Sequence, residues 1–530
     1  MKHTLALLTA LLLAPLAALH AAPSADSHII IASEAGAKLD SDVSKGGGTD
    51  DTALIQGILD RAPELGSLKL VVDGPILVTG LTVHSNTAIE CLNRACGFYL
   101  ADNSNRPLIA NATPQPESRA DHNLSFLGGT YNGNAAHQEH TTKEHGWTTA
   151  FALHGVEQVL FRDVSITNSR TFAVYLTNWR RVVFENIYIN LDHIPTKSNQ
   201  DGIHIQGPGE FLSIRNIQGR AWDDMIALNI DDLLGDWNSE GEFVRGSNGR
   251  LFGPHAGFGA VSDVDIDGVQ VEDCAQVIRI LSRASRLDRV SIRNVKGTYR
   301  DFGVWITPYL REGGNIGRLE FENIDLRPAG QRAYDYVPAF LFWIAGRMEH
   351  LTLKNISSHA PIDDRPLVWI QPDAKIDRLL IDGLNVYDPR KEIGHTPLIR
   401  ADGRIALLQV RDVVVQRPHA TSTAGSLIAT SPDRSALKAF MEARAGIVTP
   451  GKAWRGWPEG PGYLTTPPEI QRLQISGVVA DGMEHVLDHQ AGNIESLHLR
   501  DLSVSAATKS VHQGGEAKIG AISPAPKNED

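Results

Sequence analysis

The chain is poor in features that would commit it to several common classes. It has three cysteines in 530 residues and a scattered set of histidines, too few and too dispersed for a structural zinc site. No Lys/Arg cluster of the nucleic-acid-binding kind occurs, and the formal net charge is −12, which argues against DNA or RNA as a partner. Past the first two dozen residues no apolar run is long enough to span a bilayer. The acidic balance alone names no substrate, because an acidic groove and a solvated acidic surface sum to the same charge.

The first 22 residues read as a secretory signal. Lys2 and His3 precede an apolar run from Leu5 to Leu19, and the small residues Ala21 and Ala22 close it. A periplasmic or extracellular protein is expected, monomeric and without a membrane span. In such a compartment Cys91 and Cys96 are spaced to close a small disulfide loop or to sit as two buried thiols, and the sequence leaves both open. Cys274 lies in an apolar, strand-like stretch.

A short motif recurs along most of the chain: apolar–x–apolar–polar–Asn/Asp/Gly–apolar–x–apolar. Examples are LFRDVSI (Leu160–Ile166), VFENIYI (Val183–Ile189), LEFENIDL (Leu319–Leu326) and LHLRDLSV (Leu497–Val504). The central residues are Asp163, Asn186, Asn216, Gly268, Asn294, Asn323, Asn355, Gly383, Asp412, Gly477 and Asp501, spaced by 23, 30, 52, 26, 29, 32, 28, 29, 65 and 24. A period in the twenties to low thirties marks a solenoid. The 52 reads as two turns, and the 65 as two turns or one turn with an insertion. Alternating apolar residues on both sides of a turn former describe two short strands and a bend. Asn, Asp and Gly tolerate the left-handed backbone of that bend. A helical solenoid needs longer segments of 3.6 period, and propeller blades are longer. The expected fold is therefore an all-β, right-handed parallel β-helix over residues 23–513.

Gly46–Gly66 supplies a capping helix for the open end, with Thr49, Asp50 or Asp51 at its start and an apolar stripe of Ala53, Ile55, Ile58 and Leu59. An insertion is expected at about 420–468, with a helix-like piece from Arg434 to Arg444. A disordered tail is expected from 514 to 530.

Candidate chemistry concentrates between Asn199 and Arg283. Asn199-Gln200-Asp201-Gly202 precedes one alternating strand, and Trp222-Asp223-Asp224 precedes the next. Asp201 and Asp223 are 22 residues apart, about one coil, which stacks them on one face with Asp224 beside them. Crowded carboxylates repel and raise at least one pKa, the condition for one protonated acid and one ionised base. Asp is also an ordinary turn residue in β-solenoids, so the register carries the assignment.

The N-terminal GGGTDDTALIQGILDRA and the coils after it resemble the pectate-lyase-like β-helix superfamily. Asn-Gln-Asp-Gly and the Asp pair resemble the motifs of family 28 glycoside hydrolases, the polygalacturonases and rhamnogalacturonan hydrolases, over roughly residues 28–415. The resemblance implies that Asp223 is the general acid and that Asp201 and Asp224 position and deprotonate water. It also implies an inverting mechanism with no metal or other cofactor. The family's Gly-His-Gly motif is best matched by His255, and its Arg-x-Lys motif by Arg279 followed by Leu281 where Lys is usual. Arg283, two positions on, is the candidate to replace that Lys. Asn199, His255, Arg279, Arg283 and Tyr309 are then the expected substrate-binding residues. His204 reads as a structural histidine. The segment Asp231–Gly259 is expected to wall one end of the groove, which favours exo action. The expected partner is a pectic or other acidic polysaccharide. A polysaccharide lyase or epimerase using calcium is the competing enzyme class, and a non-catalytic carbohydrate-binding protein the other alternative.

Overall fold

The computed structural model describes residues 28–523 apart from 195–198, 238–242, 246–248, 309–312, 331–338, 360–364, 393, 395, 422, 432–465 and 506–509. Strands form 58% of it and helices 6%, which leaves no room for a helical solenoid. The fold is a right-handed parallel β-helix.

Each coil contributes rungs to stacked parallel sheets. One stack runs Val182, Leu212, Val264, Val290, Leu319, Leu351, Leu379, Leu408, Leu473 and Leu497, each paired with the next. A second stack runs Val174, Ile203, Ile226, Ile278, Val304, Phe342, Val368, Ile399 and Ile428. These side chains belong to one continuous core along the axis. That burial drives the fold, since a single coil cannot hide its apolar face alone.

All eleven predicted bend residues have positive φ, from 52° at Asn355 to 81° at Gly268. Asn side chains stack at this corner: Asn216 donates to Asn186, Asn323 to Asn294, and Asn355 to Asn323, at 2.6–2.9 Å. The bend therefore explains both the residue type and its repetition.

The structure corrects three expectations. The 52-residue gap is one coil, because Arg215 pairs directly with Asp267; the extra residues leave the coil between Asp231 and Gly259. The 65-residue gap takes the second of its two expected forms, one coil with an insertion, since Arg411 pairs with Ser476. Regular rungs continue into the region expected to be inserted, through Ser426–Thr430; Arg434–Arg444 lies outside the described residues. The tail expected to be disordered carries the strand Lys518–Ser523, which stacks on Asn493–His498. There Ile519 pairs with Ile494 and packs on the core, so a sparse apolar alternation sufficed for one more rung.

At the other end the helix Thr52–Leu59 buries Ile55, Ile58 and Leu59. Ala53 is exposed and stands outside the expected stripe. Of the three candidate caps, Asp50 accepts the Thr52 N–H at 2.9 Å, while Asp51 accepts the Lys38 N–H. The three cysteines are buried free thiols, so no Cys91–Cys96 bridge is formed. Among the described residues no helix is long and apolar enough to cross a membrane.

Candidate active site

The second stack carries the site. Ile203 pairs with Ile226, which sets Asp201 level with Asp224, 23 residues on, rather than with Asp223. Asp224 in turn pairs with Gln276. The Asp224 N–H points to Asp201 Oδ1 at 3.3 Å, and the Gly202 N–H donates to the Asp224 carbonyl. The corner departs from strict alternation, because consecutive Met225 and Ile226 both enter the core.

One carboxylate oxygen from each of Asp201, Asp223 and Asp224 lies within 4.8 Å of the other two. Asp201 and Asp224 are buried, and Asp223 is the more open member. Burial holds the carboxyls of Asp201 and Asp224 well above the usual carboxylate range, and the neighbouring carboxylates push the same way. The Arg279 guanidinium opposes this on both. With its amide oriented to suit its neighbours, Gln276 donates to Asp223 Oδ1 and Asp224 Oδ1, each at 2.6 Å. Gln276 thus joins the trio, although the sequence reading passed over it.

His204, expected as a structural histidine, is buried against the trio. Its Nδ1 lies 2.7 Å from Asp201 Oδ2, and its ring stacks on Phe172 at 4.0 Å. Burial pulls its pKa down to about 4, so the imidazole is neutral at ordinary pH. Asp232, on a short 3-10 turn after the strand, adds negative potential to Asp201, Asp224 and His204.

The other expected residues divide. Arg279 is in the site: it is buried, its guanidinium lies 4.0 Å from the Trp305 ring centroid, and it donates to the Trp305 carbonyl. Arg283 does not replace the missing Lys. Its buried guanidinium binds Asp232 at 2.9 Å, and Asp231 accepts its backbone N–H. Asn199 sits at φ 55°, a turn conformation just before Gln200. His255 is exposed beyond the short helix Gly249–Phe252. Tyr309 lies outside the described residues.

Part of the Asp231–Gly259 segment lies over the coils that precede the site. Phe252 packs on Trp147 and Tyr175, and the Gly257 N–H donates to the Thr177 hydroxyl at 3.1 Å. Its ring centroid is 5.9 Å from that of His204. A separate cleft of about 490 Å³, between Glu90, Arg94, Arg162 and Asn186, contains none of these residues.

No family model matches the sequence, and no curated protein matches it. Solved structures do. The chain is similar to a family 28 exopolygalacturonase of Yersinia enterocolitica, with TM-score 0.50 and 14% identity, over 77% of this chain and 78% of that one. It is more loosely similar to a tailspike protein of E. coli bacteriophage HK620, with TM-score 0.48 and 10% identity over 90% and 75% of the two chains. A mannuronan C-5 epimerase A-module of Azotobacter vinelandii is also similar, with TM-score 0.30 and 12% identity over 93% and 100%. At such identities the likeness is one of fold.

Proposed function

We propose that this chain is an exported glycoside hydrolase that cleaves an acidic polysaccharide or oligosaccharide by acid/base catalysis. The observation that carries the reading is the trio itself: three carboxylates within 4.8 Å, two of them buried with raised pKa, bridged by the Gln276 amide. Such a trio titrates as a unit and keeps at least one proton where an isolated carboxylate has none. Asp223, the most open member, delivers the proton to the leaving oxygen. With the trio's proton on Asp223, the ionised member of the Asp201–Asp224 pair deprotonates the water that both orient; Arg279, whose charge favours those ionised forms, and His204, bonded to Asp201, hold the pair in place.

The nearest carboxylate oxygens of the trio lie within 4.8 Å, which is a shorter measure than the separation of whole carboxyl groups. Inverting enzymes typically separate acid and base by about 6.5–9.5 Å and retaining ones by about 5–5.5 Å. Oxygens within 4.8 Å still admit a water about 2.8 Å from each of two acceptors. We therefore assign the nucleophile to that bridged water, with an ionised carboxylate of Asp201 or Asp224 taking its proton, and keep inversion as the expected outcome. The packed segment around Phe252, beside His204, supports action from a chain end.

A second reading has its own support, because three convergent carboxylates are also an oxygen-rich set suited to calcium, as a lyase or epimerase would need. The experiment is a screen against pectic, rhamnogalacturonan and algal polysaccharides with a chelator present, following the new anomer by proton NMR. Single-sugar products of inverted configuration are expected. Retained configuration would overturn the mechanism; unsaturated products, or activity restored only by calcium, would overturn hydrolysis.

A further inference from the structure

Beside the trio, three basic side chains gather on one indole. The Arg300 guanidinium lies 4.5 Å from the Trp222 ring centroid and that of Arg220 lies 5.2 Å from it. The His193 imidazole stacks on the same ring at 4.2 Å and 26°. Trp222 is fixed by donation from Nε1 to the Leu191 carbonyl at 2.6 Å, and it is the chain neighbour of Asp223.

The two guanidinium charges have no carboxylate partner among the described residues, and burial, with Arg300 beside it, lowers the His193 pKa. Arg300 is 8% exposed and donates to the Trp222 carbonyl at 3.1 Å. Its buried Nε, and that of Arg220, meet no acceptor among the described residues. Among the described residues no ion pair joins either arginine to a carboxylate, and the nearby Asp273 accepts from the Thr298 hydroxyl instead. Some arginines elsewhere on the β-helix, such as Arg289, Arg286 and Arg411, are paired with Asp263, Glu349 and Asp382, but among the described residues none of those shares an aromatic ring with a second guanidinium. A largely desolvated guanidinium with no carboxylate beside it is costly, and an oxyanion meeting the accessible part of half-buried Arg220, with Arg300 behind it on the same indole, would offset that cost. Of the positions where a sugar carboxylate was expected to bind, Arg279 stands on Trp305 in the site, while Leu281 is apolar and Arg283 is bound to Asp232, so a second anion contact has to come from elsewhere.

We infer that Arg220 and Arg300, held on Trp222, form an anion subsite next to Asp223 that takes the carboxylate or sulfate of the sugar ring beside the scissile bond. Two planar forks suit an oxyanion with several acceptor oxygens, and the indole orders them without neutralising them. This assignment rests on the glycosidase reading for the word "scissile", but the binding does not.

The test is calorimetric titration of the full chain carrying Asp201→Asn, so that turnover does not intrude. The probes are trigalacturonic acid, a sulfated galactose trisaccharide and neutral galactotriose. One anionic probe should bind at least about tenfold tighter than the neutral one, and which one does so identifies the anion. Arg300→Gln and Arg220→Gln should each lose about tenfold or more of that preference, as charged hydrogen bonds do. Arg300→Lys should recover part of it, and the affinity for galactotriose should not move. Equal binding of all three probes would overturn the subsite, as would an undiminished preference in a folded Arg220→Gln protein. Selective anion binding in a protein that cleaves no glycan would leave the subsite standing and remove the hydrolase reading.

Discussion

Two corners of the same coils use carboxylate and amide side chains to opposite ends. At the bend between Asp163 and Asp501 the residues are exposed, take left-handed φ, and pass amide hydrogen bonds from coil to coil. At the other corner Asp201, Asp224 and Gln276 also stack in register, but they are buried, and two of the three rungs are carboxylates facing each other. A stack of amides satisfies itself, since each has a donor and an acceptor to offer. A stack of carboxylates has acceptors only and must find protons or donors from outside. The first arrangement stabilises a turn. The second is a standing demand for protons, met by Gln276, His204 and the raised pKa values.

The largest test of that distinction is chemical. Asp201→Asn, Asp223→Asn and Asp224→Asn should each lower turnover on the cleaved glycan by about a hundredfold or more, with the far-ultraviolet circular dichroism unchanged. Near-normal rates in all three would make this corner an ordinary turn. Gln276→Leu comes next, with an expected loss of about tenfold. Its amide favours the ionised forms of Asp223 and Asp224, so removing it should move the acidic limb of the pH–rate profile to higher pH. An unmoved profile would leave Gln276 a packing residue.

Stability should separate the corners in the opposite sense. Asp201 and Asp224 have folded pKa values raised above their unfolded ones. The stability they lend is full below the ordinary carboxylate range and is lost as pH rises through the raised values. Asp201→Asn and Asp224→Asn should therefore be more stable than the parent at neutral and alkaline pH, by about 1–2 kcal/mol in urea unfolding, with the gap closing in acid. A gap that widens in acid would contradict burial as the cause. The smallest effect belongs to the outer bend. Asn323→Ala removes bonds to Asn294 and from Asn355 and leaves alanine at φ 56°, which should cost about 1 kcal/mol and spare activity. A loss of turnover there would mean that the two corners are coupled through the core.

The repeat, its bend residues and the all-β solenoid were legible because each coil solves the same local problem: apolar alternation on both sides of a left-handed bend. The convergence of Asp201, Asp223 and Asp224 was legible for a related reason, since a near-constant coil length turns spacing into stacking. The register was off by one residue, because the chain does not count the residues spent in a corner. Gln276 and Asp232 were not legible. Gln276 meets the trio across an excursion of the chain that lengthens one coil to 52 residues, and Asp232 shows its effect only once that excursion folds back. Arg283 looked free from its strand position and is in fact bound to Asp232, 51 residues away. Local pattern sets which backbone each segment adopts, because propensity and period act over a few residues. Which charges are neutralised, which are buried, and which remain unpaired beside Trp222 depends on residues dozens of positions apart, and only the packing of coil on coil brings those together.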